Sequence, residues 1–202
     1  MRRRNLLSSG TYDREIEYIE VNGTQYINTN IVVSLSTNVI IEYGISSTYN
    51  GHDIYLFGAI DPNGNGRICY EFITSTNTIR TRWGSSYATD SRRVYLDDKL
   101  TLTVPSGSGA WTLTNNTQGW VTSYEKHSNY PTNAPFFLGG ISENGSPSSD
   151  ITYARVRFYS VKIGGLDLIP VRKGNVGYLY DKNSGNLLGN SGSGNFILGQ
   201  DK

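Results

Sequence analysis

The sequence has almost no sulfur, since Cys69 is its only cysteine and Met1 its only methionine. A single cysteine excludes an intrachain disulfide and argues against a small secreted module held together by such bonds. A catalytic thiol would need a histidine partner, and the chain offers only His52 and His127. Because Cys69 lies in the segment RICYEFI, the sequence predicts a buried core residue there.

Long hydrophobic runs and an excess of one charge are missing as well. No apolar run reaches the length of a membrane span, and residues 1–14 lack the apolar stretch of about 7 to 15 residues that a secretion signal requires. The formal net charge is +1, so no long-range field favours nucleic acid. The sequence therefore predicts no membrane span, no nucleic-acid partner and no standard secretion.

What the chain does contain is material for β-strands and turns. It has 23 glycines and 15 tyrosines, and no segment is typical of a helix of three turns. Segments rich in β-branched and aromatic residues alternate with turns of Asn, Gly and Ser, which predicts one all-β domain. We expect strands in EIEYIEV (15–21), NTNIVVS (28–34), NVIIEYGIS (38–46), DIYLFGAI (53–60), RICYEFI (67–73), TIRTRWGS (78–85), VYLDDKLTLTV (94–104), AWTLTNN (110–116), GWVTSYEK (119–126), APFFLGG (134–140) and YARVRFYSVKI (153–163).

The end of the chain cannot fold alone. Short strands are expected in LDLIPVRK (166–173), NVGYLYDKNSGNLLGN (175–190) and GNFILG (194–199), separated by polar turns. Their apolar residues need a second sheet to pack against, so this segment is predicted to belong to a sandwich core. The residues concerned are Ile163, Leu168, Ile169, Val171, Leu179, Leu187, Phe196 and Leu198.

Two phrases at opposite ends of the chain resemble a known family. The opening phrase has YIE at 18–20, GTQYI at 23–27 and Thr29, and the closing phrase has LIPVR at 168–172, VGYLYD at 176–181 and GNSGSG at 189–194. Such phrases resemble those of the concanavalin A-like, laminin G-like jelly-roll domains in proteins of gut bacteria and their phages. The resemblance covers nearly the whole chain, although the middle matches less specifically.

The resemblance implies an all-β fold, a two-sheet antiparallel jelly-roll sandwich, and a habit of binding rather than a defined reaction. We expect a basic arm over residues 1–14 and one jelly-roll domain over residues 15–202. The expected function is a non-catalytic component of a phage or prophage virion, in a capsid decoration, fibre or tail. Its partners would be a cell-surface glycan or other virion proteins, with several copies assembling together.

Two alternatives stay open. The first is a surface or secreted carbohydrate-binding module of a gut bacterium, located outside the cell. The second is a degenerate glycoside hydrolase, because Glu15, Glu17 and Glu20 resemble the catalytic strand of laminarinase-like enzymes on the same fold. That strand carries Asp where this chain has Glu17, and the pattern lies in the opening phrase, where a structural strand is expected. We therefore expect no enzymatic activity.

A calcium loop is imitated by DPNGNG, residues 61–66. The glutamate required at the twelfth position is missing, since Phe72 stands there. Asn, Gly and Pro between two strands also describe an ordinary hairpin loop. We expect no cofactor, and calcium at the rim of the sandwich is the alternative.

The middle of the chain is rich in aromatic and amide side chains. Flat rings offer sugars an apolar surface, and amides and hydroxyls can bond to sugar hydroxyl groups. The sequence predicts ligand-binding residues here, against the alternative that the tryptophans are core residues. The candidates are Trp83, Tyr87, Trp120, Tyr124, Asn129 and Tyr130.

The arm at residues 1–14 has too few apolar groups to order itself. It is expected to be a solvated segment or, as a sharper hypothesis, a tether to a larger assembly. In the second case Leu6 and Leu7 would be buried against another chain and Arg2, Arg3 and Arg4 would face acidic groups.

Overall fold

A computed structural model of the chain describes residues 11–48, 50–61, 66–84, 86–125, 132–149 and 155–202. Within these ranges the chain forms strands and turns and no α-helix. Consequently no helix in the described ranges is long and apolar enough to cross a membrane. The all-β prediction is confirmed, and the strands form two sheets that pack as a sandwich.

The first sheet contains eleven of the described strands. Its main path runs β11-β10-β9-β4-β15-β16-β17-β18, and β1, β2 and β19 pair at its side. All its strand pairs are antiparallel. The strands are β1 (Arg14–Glu15), β2 (Ile19–Val21), β4 (Val39–Ile45), β9 (Leu100–Val104), β10 (Trp111–Asn115), β11 (Trp120–Tyr124), β15 (Val156–Ile163), β16 (Leu166–Lys173), β17 (Val176–Asp181), β18 (Leu187–Leu188) and β19 (Ile197–Leu198).

The second sheet contains the other eight described strands. Its path runs β14-β13-β5-β6-β7-β8, and β12 pairs with both β3 and β5. The pair β13 with β5 is parallel, and its other pairs are antiparallel. The strands are β3 (Ile27–Val32), β5 (Ile54–Ile60), β6 (Arg67–Ile73), β7 (Thr78–Trp83), β8 (Ser86–Thr89), β12 (Pro135–Leu138), β13 (Gly140–Glu143) and β14 (Ser146–Pro147).

The core lies between the two sheets and is centred on aromatic rings. Phe57 of the second sheet lies 5.1 Å from Tyr43 and 6.4 Å from Phe158 of the first sheet, measured between ring centroids. These side chains are fully buried. Burying a side chain of this size contributes about 1.5 to 3 kcal/mol relative to leaving it in water.

The predicted hairpin of DIYLFGAI with RICYEFI is present as β5 and β6. The two strands approach so closely that a Cβ at Gly58 would lie 2.3 Å from the Ile68 carbonyl oxygen, so only glycine fits there. Cys69 is buried in β6, as predicted.

Some predicted strands were wrong in extent. EIEYIEV is not one strand, since β1 pairs with β16 whereas β2 pairs with β15 and β19. VYLDDKLTLTV becomes a strand only from Leu100, because Asp98 Oδ2 accepts the Tyr95 N–H at 2.8 Å and closes a turn before it. The short strands β8, β13 and β14 were not predicted, because they lack a run of apolar residues.

The end of the predicted arm is part of the sandwich. Arg14 pairs with Arg172, and the Tyr12 ring lies 4.8 Å from the Tyr180 ring. The Asp13 N–H donates to the Arg172 carbonyl at 2.9 Å. The expected boundary between residues 14 and 15 therefore falls inside a strand, and residues 1–10 lie outside the described residues.

The closing segment, with Ile163 before it, contributes five of the eight expected residues to the buried core. Ile163, Leu168, Val171, Leu179 and Phe196 are buried, whereas Ile169, Leu187 and Leu198 are half-buried. Strand β19 pairs with β2, which joins the end of the chain to its beginning.

Candidate functional site

The outer face of the second sheet carries a cluster of charged side chains around Glu71. Glu71 in β6 stands directly opposite Arg80 in β7, and Cys69 stands opposite Arg82. Because side chains alternate along a strand, these four residues face away from the core, on the opposite side from Tyr70 and the apolar residues beside it. The charged cluster, defined as Glu71, Arg80 and Arg82, therefore lies on the face of β5–β8 that is turned away from the first sheet.

Glu71 is only 2% exposed although it lies on an outer face. Its Oε2 lies 3.4 Å from Arg80 Nη1 and 3.3 Å from Arg82 Nη2, and its Oε1 forms an ion pair with Arg82 Nε. Burial lowers the pKa of Arg82, but the hydrogen bond and the charge of Glu71 raise it by more. Removing such charges from water costs free energy, so a buried ion pair of this kind is by itself weak evidence for a stabilising role.

The charged cluster forms one side of a pocket of about 230 Å³. The other side comes from the segment that leads into β5. There Asp53 Oδ1 accepts the Thr74 N–H at 3.1 Å, which holds the turn after β6 against the start of β5. The pocket is lined by His52, Asp53, Ile54, Tyr55, Glu71, Arg80 and Arg82.

A second pocket, of about 260 Å³, shares the two arginines and is lined by Arg80, Arg82 and Tyr87. Tyr87 in the edge strand β8 stands opposite Arg82 and is 69% exposed. The guanidinium carbon of Arg80 lies 5.9 Å from the centre of the Tyr87 ring, within the range of a cation–π contact. The two pockets thus share the two arginines, and the second also has an exposed aromatic ring in its lining.

Cys69 lies beside the cluster but is not a reactive thiol. Burial, together with the negative charge of Glu71, raises the pKa of Cys69 to about 12. Its Sγ lies 4.0 Å from Glu71 Oε1. Because the thiolate is the nucleophilic form, Cys69 cannot supply one near neutral pH.

The structure separates the predicted ligand-binding residues. Trp83 is 3% exposed and belongs to the core, since β7 turns it inward and turns Arg80 and Arg82 outward. Tyr87 is the predicted residue that lies in the pocket beside the charged cluster. Asn129 and Tyr130 lie outside the described residues.

Trp120 and Tyr124 lie together on β11, the edge strand of the first sheet. Both rings are half-buried, and Tyr124 stacks on the buried Trp111 with ring centroids 4.2 Å apart. The Arg92 guanidinium lies 5.3 Å from the Trp120 ring centre. Their rings therefore pack at the edge of the first sheet, and the ligand-binding role expected of them stays a prediction.

The structure describes only part of the predicted calcium loop and none of the predicted assembly contact. The backbone of Asp61 bonds to the Gly66 carbonyl at 2.7 Å, as in a hairpin, while residues 62–65 lie outside the described residues. Across the described ranges no three His, Cys, Asp or Glu side chains are grouped as metal ligands would be. The assembly residues Arg2, Arg3, Arg4, Leu6 and Leu7 also lie outside those ranges.

The three carboxylates that resemble a hydrolase strand are not arranged as one. Glu15 is exposed on β1, and Glu17 lies between strands. Glu20 is buried on β2, where Arg157 Nε donates to its carboxylate at 2.6 Å and Ser46 Oγ donates at 2.9 Å. Glu20 is therefore an ion-pair partner within the first sheet.

The sequence prediction missed the charged cluster, although a signal was present. In TIRTRW, Arg80 and Arg82 alternate with Ile79, Thr81 and Trp83, and this pattern already placed both arginines on the face away from the core. The partner Glu71 stands between Tyr70 and Phe72 in an otherwise apolar strand. Register between β6 and β7 was needed to bring these residues together.

Comparison with known proteins identifies the fold. No protein-family model matches the sequence, and no curated protein matches it either. Domains LG4-5 of the mouse laminin α1 chain match with a TM-score of 0.53 and 9% identity, over 98% of this chain and 51% of that chain. A native heptameric SAP-like pentraxin from Limulus polyphemus matches with a TM-score of 0.51 and 8% identity, over 96% and 98%.

A sialidase of Trypanosoma rangeli, in a mutant form with trans-sialidase activity, gives a TM-score of 0.46 at 16% identity, over 77% of this chain and 26% of that chain. The chain thus spans about half the length of the laminin structure and about a quarter of the sialidase structure. The two matches above 0.5 show that the chain has the concanavalin A-like, laminin G-like sandwich fold. At such low identity they show the fold alone.

Proposed function

We propose that this chain is a non-catalytic domain that binds a carbohydrate on the outer face of β5–β8. The observation that supports this most is the charged cluster, which combines a nearly buried carboxylate with two guanidinium groups at the wall of an open pocket. A concave site with a few convergent polar groups is the usual form of a ligand site.

The chemistry of the pocket suits a sugar. Arg80 and Arg82 present planar sets of N–H donors, and the contact with Glu71 holds them in place before a ligand arrives. Tyr87 offers an exposed flat ring in the second pocket, and Tyr55 is among the residues that line the first. Rings can stack on the apolar face of a sugar while the donors bond to its oxygens.

The biological setting is proposed from the family resemblance. The opening and closing phrases resemble those of domains from gut bacteria and their phages, which supports a virion component that displays this sandwich. A surface module of a bacterium is the alternative. The Limulus pentraxin is heptameric, which makes a multi-copy assembly of this chain a reasonable part of the proposal.

A hydrolase is the competing function, because Asp53 and Glu71 both line the first pocket. Glycoside hydrolysis needs two carboxyl groups free to act on the scissile bond. Here both oxygens of Glu71 contact guanidinium groups, and Asp53 accepts a backbone N–H of the following turn. Their present roles are structural, and this favours binding over catalysis.

The test is a glycan array probed with the purified chain, followed by calorimetry with the best ligand. We expect Tyr87→Ala to weaken binding by about fivefold, since stacking on one aromatic side chain contributes on the order of 1 kcal/mol. The control is Tyr95→Ala, which removes another exposed tyrosine from outside both pockets.

The same glycans, incubated with the chain, should release no reducing ends. Equal loss of affinity in both variants, or an array without any ligand, would contradict the proposed site. Turnover that disappears in Glu71→Gln would instead establish the hydrolase.

A further inference from the structure

The pocket beside Tyr87 differs from its neighbour in charge. The first pocket has the carboxylates of Asp53 and Glu71 among its lining residues, whereas the described residues that line the second are Arg80, Arg82 and Tyr87. Among the described residues, the pocket beside Tyr87 is therefore lined by two cations and an aromatic ring and by no carboxylate.

The charged cluster has more positive than negative charge. Two guanidinium groups share the single carboxylate of Glu71, and their side chains are still 28% and 26% exposed. Each guanidinium has five N–H donors, of which Glu71 engages only some. The buried Nε of Arg80 has no hydrogen-bond partner among the described residues. Within the charged cluster as defined by these three described residues, donor groups and one positive charge are thus left for a ligand.

From this arrangement we infer that the carbohydrate bound here is acidic and places a sugar carboxylate, as in a uronic or sialic acid, on Arg80 and Arg82 beside Tyr87. The inference rests on the proposed function and names the ligand class of the same site. A guanidinium matches a carboxylate with two parallel hydrogen bonds, whereas a neutral hydroxyl offers no such pairing. The Tyr87 ring would then lie against the apolar face of the same sugar.

The low net charge of the chain makes this a local effect. With a formal charge of +1 the protein as a whole does not attract polyanions. A preference for acidic sugars therefore has to come from the site itself. Removing one arginine of the site should therefore abolish the preference, while removing an arginine elsewhere should leave it intact.

The experiment compares acidic polysaccharides with the same polymers after reduction of their carboxyl groups to alcohols. The probes are polygalacturonic acid, alginate, hyaluronan and polysialic acid, with dextran sulfate added as a source of anions that are not carboxylates. We expect at least one acidic polymer to bind about tenfold or more tightly than its reduced form, the factor lost with one charge-assisted hydrogen bond.

Arg80→Gln is the main variant, because Arg80 makes a single 3.4 Å contact with Glu71 and its removal leaves the Arg82 pair in place. It should remove the difference between acidic and reduced polymers. Arg82→Lys, which keeps the charge but loses the planar fork, should reduce it in part. Arg92→Gln, at Trp120 and outside both pockets, should bind like the parent chain. A thermal melt of each variant checks folding.

The outcomes distinguish the proposed carbohydrate site from the inference that its ligand is acidic. Binding of neutral or reduced polymers as tightly as acidic ones, lost in Tyr87→Ala, would overturn the acid inference and leave the carbohydrate site standing. Binding of dextran sulfate alone would also overturn the carboxylate inference. No binding to any polysaccharide of the array or of this panel would overturn the proposed function itself.

Discussion

The closing segment, residues 166–202, and the outer face of β5–β8 differ in how their buried or partly buried polar residues are paired. In the closing segment, Asp181 and Asn190 accept backbone N–H groups of the same chain. Asn190 Oδ1 accepts the N–H groups of Tyr26 and Gly192, at 3.2 and 2.8 Å. On the outer face of β5–β8, Glu71, Arg80 and Arg82 contact one another at pockets open to solvent.

This difference shows which part of the structure the opening and closing phrases of the sequence determine. In GNSGSG, a Cβ at Gly192 would lie 2.0 Å from the Thr24 carbonyl oxygen, so glycine is required for the closing turn to reach the opening phrase. The two phrases that resemble the family thus meet in space, through Ser191 and Ser193 N–H bonds to Tyr26 and Thr24. They describe how the sandwich is joined, whereas Glu71, Arg80, Arg82 and Tyr87 lie outside both phrases.

The largest effect is expected from deleting residues 178–202, which tests whether the closing segment is part of the fold. The deletion removes most of β17 and all of β18 and β19, together with the buried Leu179 and Phe196. Each large buried side chain contributes about 2 to 5 kcal/mol, against a total stability of about 5 to 15 kcal/mol. We expect no cooperative thermal melt by circular dichroism. A soluble product melting like the parent would show that the segment is peripheral.

An intermediate effect is expected from Asp181→Asn, in the turn between β17 and β18. Asp181 is buried and accepts bonds from the N–H groups of Asp167, Asn183 and Ser184 and from the Ser184 hydroxyl. Asparagine has one acceptor oxygen and would place N–H groups against other donors. The expected cost is about 1 to 3 kcal/mol of unfolding free energy. The exposed Asp13, which accepts one bond from Gly174, gives the control Asp13→Asn with a smaller loss.

The loss of stability caused by Asp181→Asn is expected to depend on pH, in a direction that the pKa of Asp181 determines. Burial raises the pKa of Asp181, but the hydrogen bonds lower it by more, so the folded pKa lies below the ordinary value. Its stabilising contribution is therefore complete above about pH 4 and is lost as the pH falls through the folded pKa. The gap in melting temperature between parent and Asp181→Asn should be constant from pH 5 to 7 and narrow below about pH 4. A gap that widens in acid would contradict this account.

The same two regions differ in how much of their structure could be predicted from the sequence. The sandwich was predictable, because alternation in DIYLFGAI and RICYEFI and the apolar residues of the closing segment require two packed sheets. The candidate site was not predicted. Trp83 was proposed as a ligand-binding residue because of its type, but it alternates with Arg80 and Arg82 along β7 and therefore faces the core. Glu71 pairs with residues that follow it in the next strand, and only the register reveals this.

The smallest effect on stability is expected from Tyr87→Ala. Comparing it with a substitution on the core face tests whether the two faces of the second sheet contribute differently to folding. Tyr87 is exposed on β8, whereas Tyr70 on β6 is buried with its ring 5.0 Å from Phe57 and 5.8 Å from Trp111. Truncating a buried aromatic residue costs about 3 to 5 kcal/mol, whereas an exposed substitution stays within about 0.5 kcal/mol.

Chemical denaturation of Tyr87→Ala and Tyr70→Ala should therefore give a parent-like midpoint for the first variant and a much lower midpoint for the second. Tyr87 would then be a residue whose ring contributes almost nothing to folding, and the loss of sugar binding in Tyr87→Ala could be assigned to the missing contact. If Tyr87→Ala lowers the midpoint as much as Tyr70→Ala does, the ring is needed to hold β8 in place. The weakened binding would in that case report a distorted sheet edge, and the pocket beside Arg80 and Arg82 would lose its main support as a ligand site.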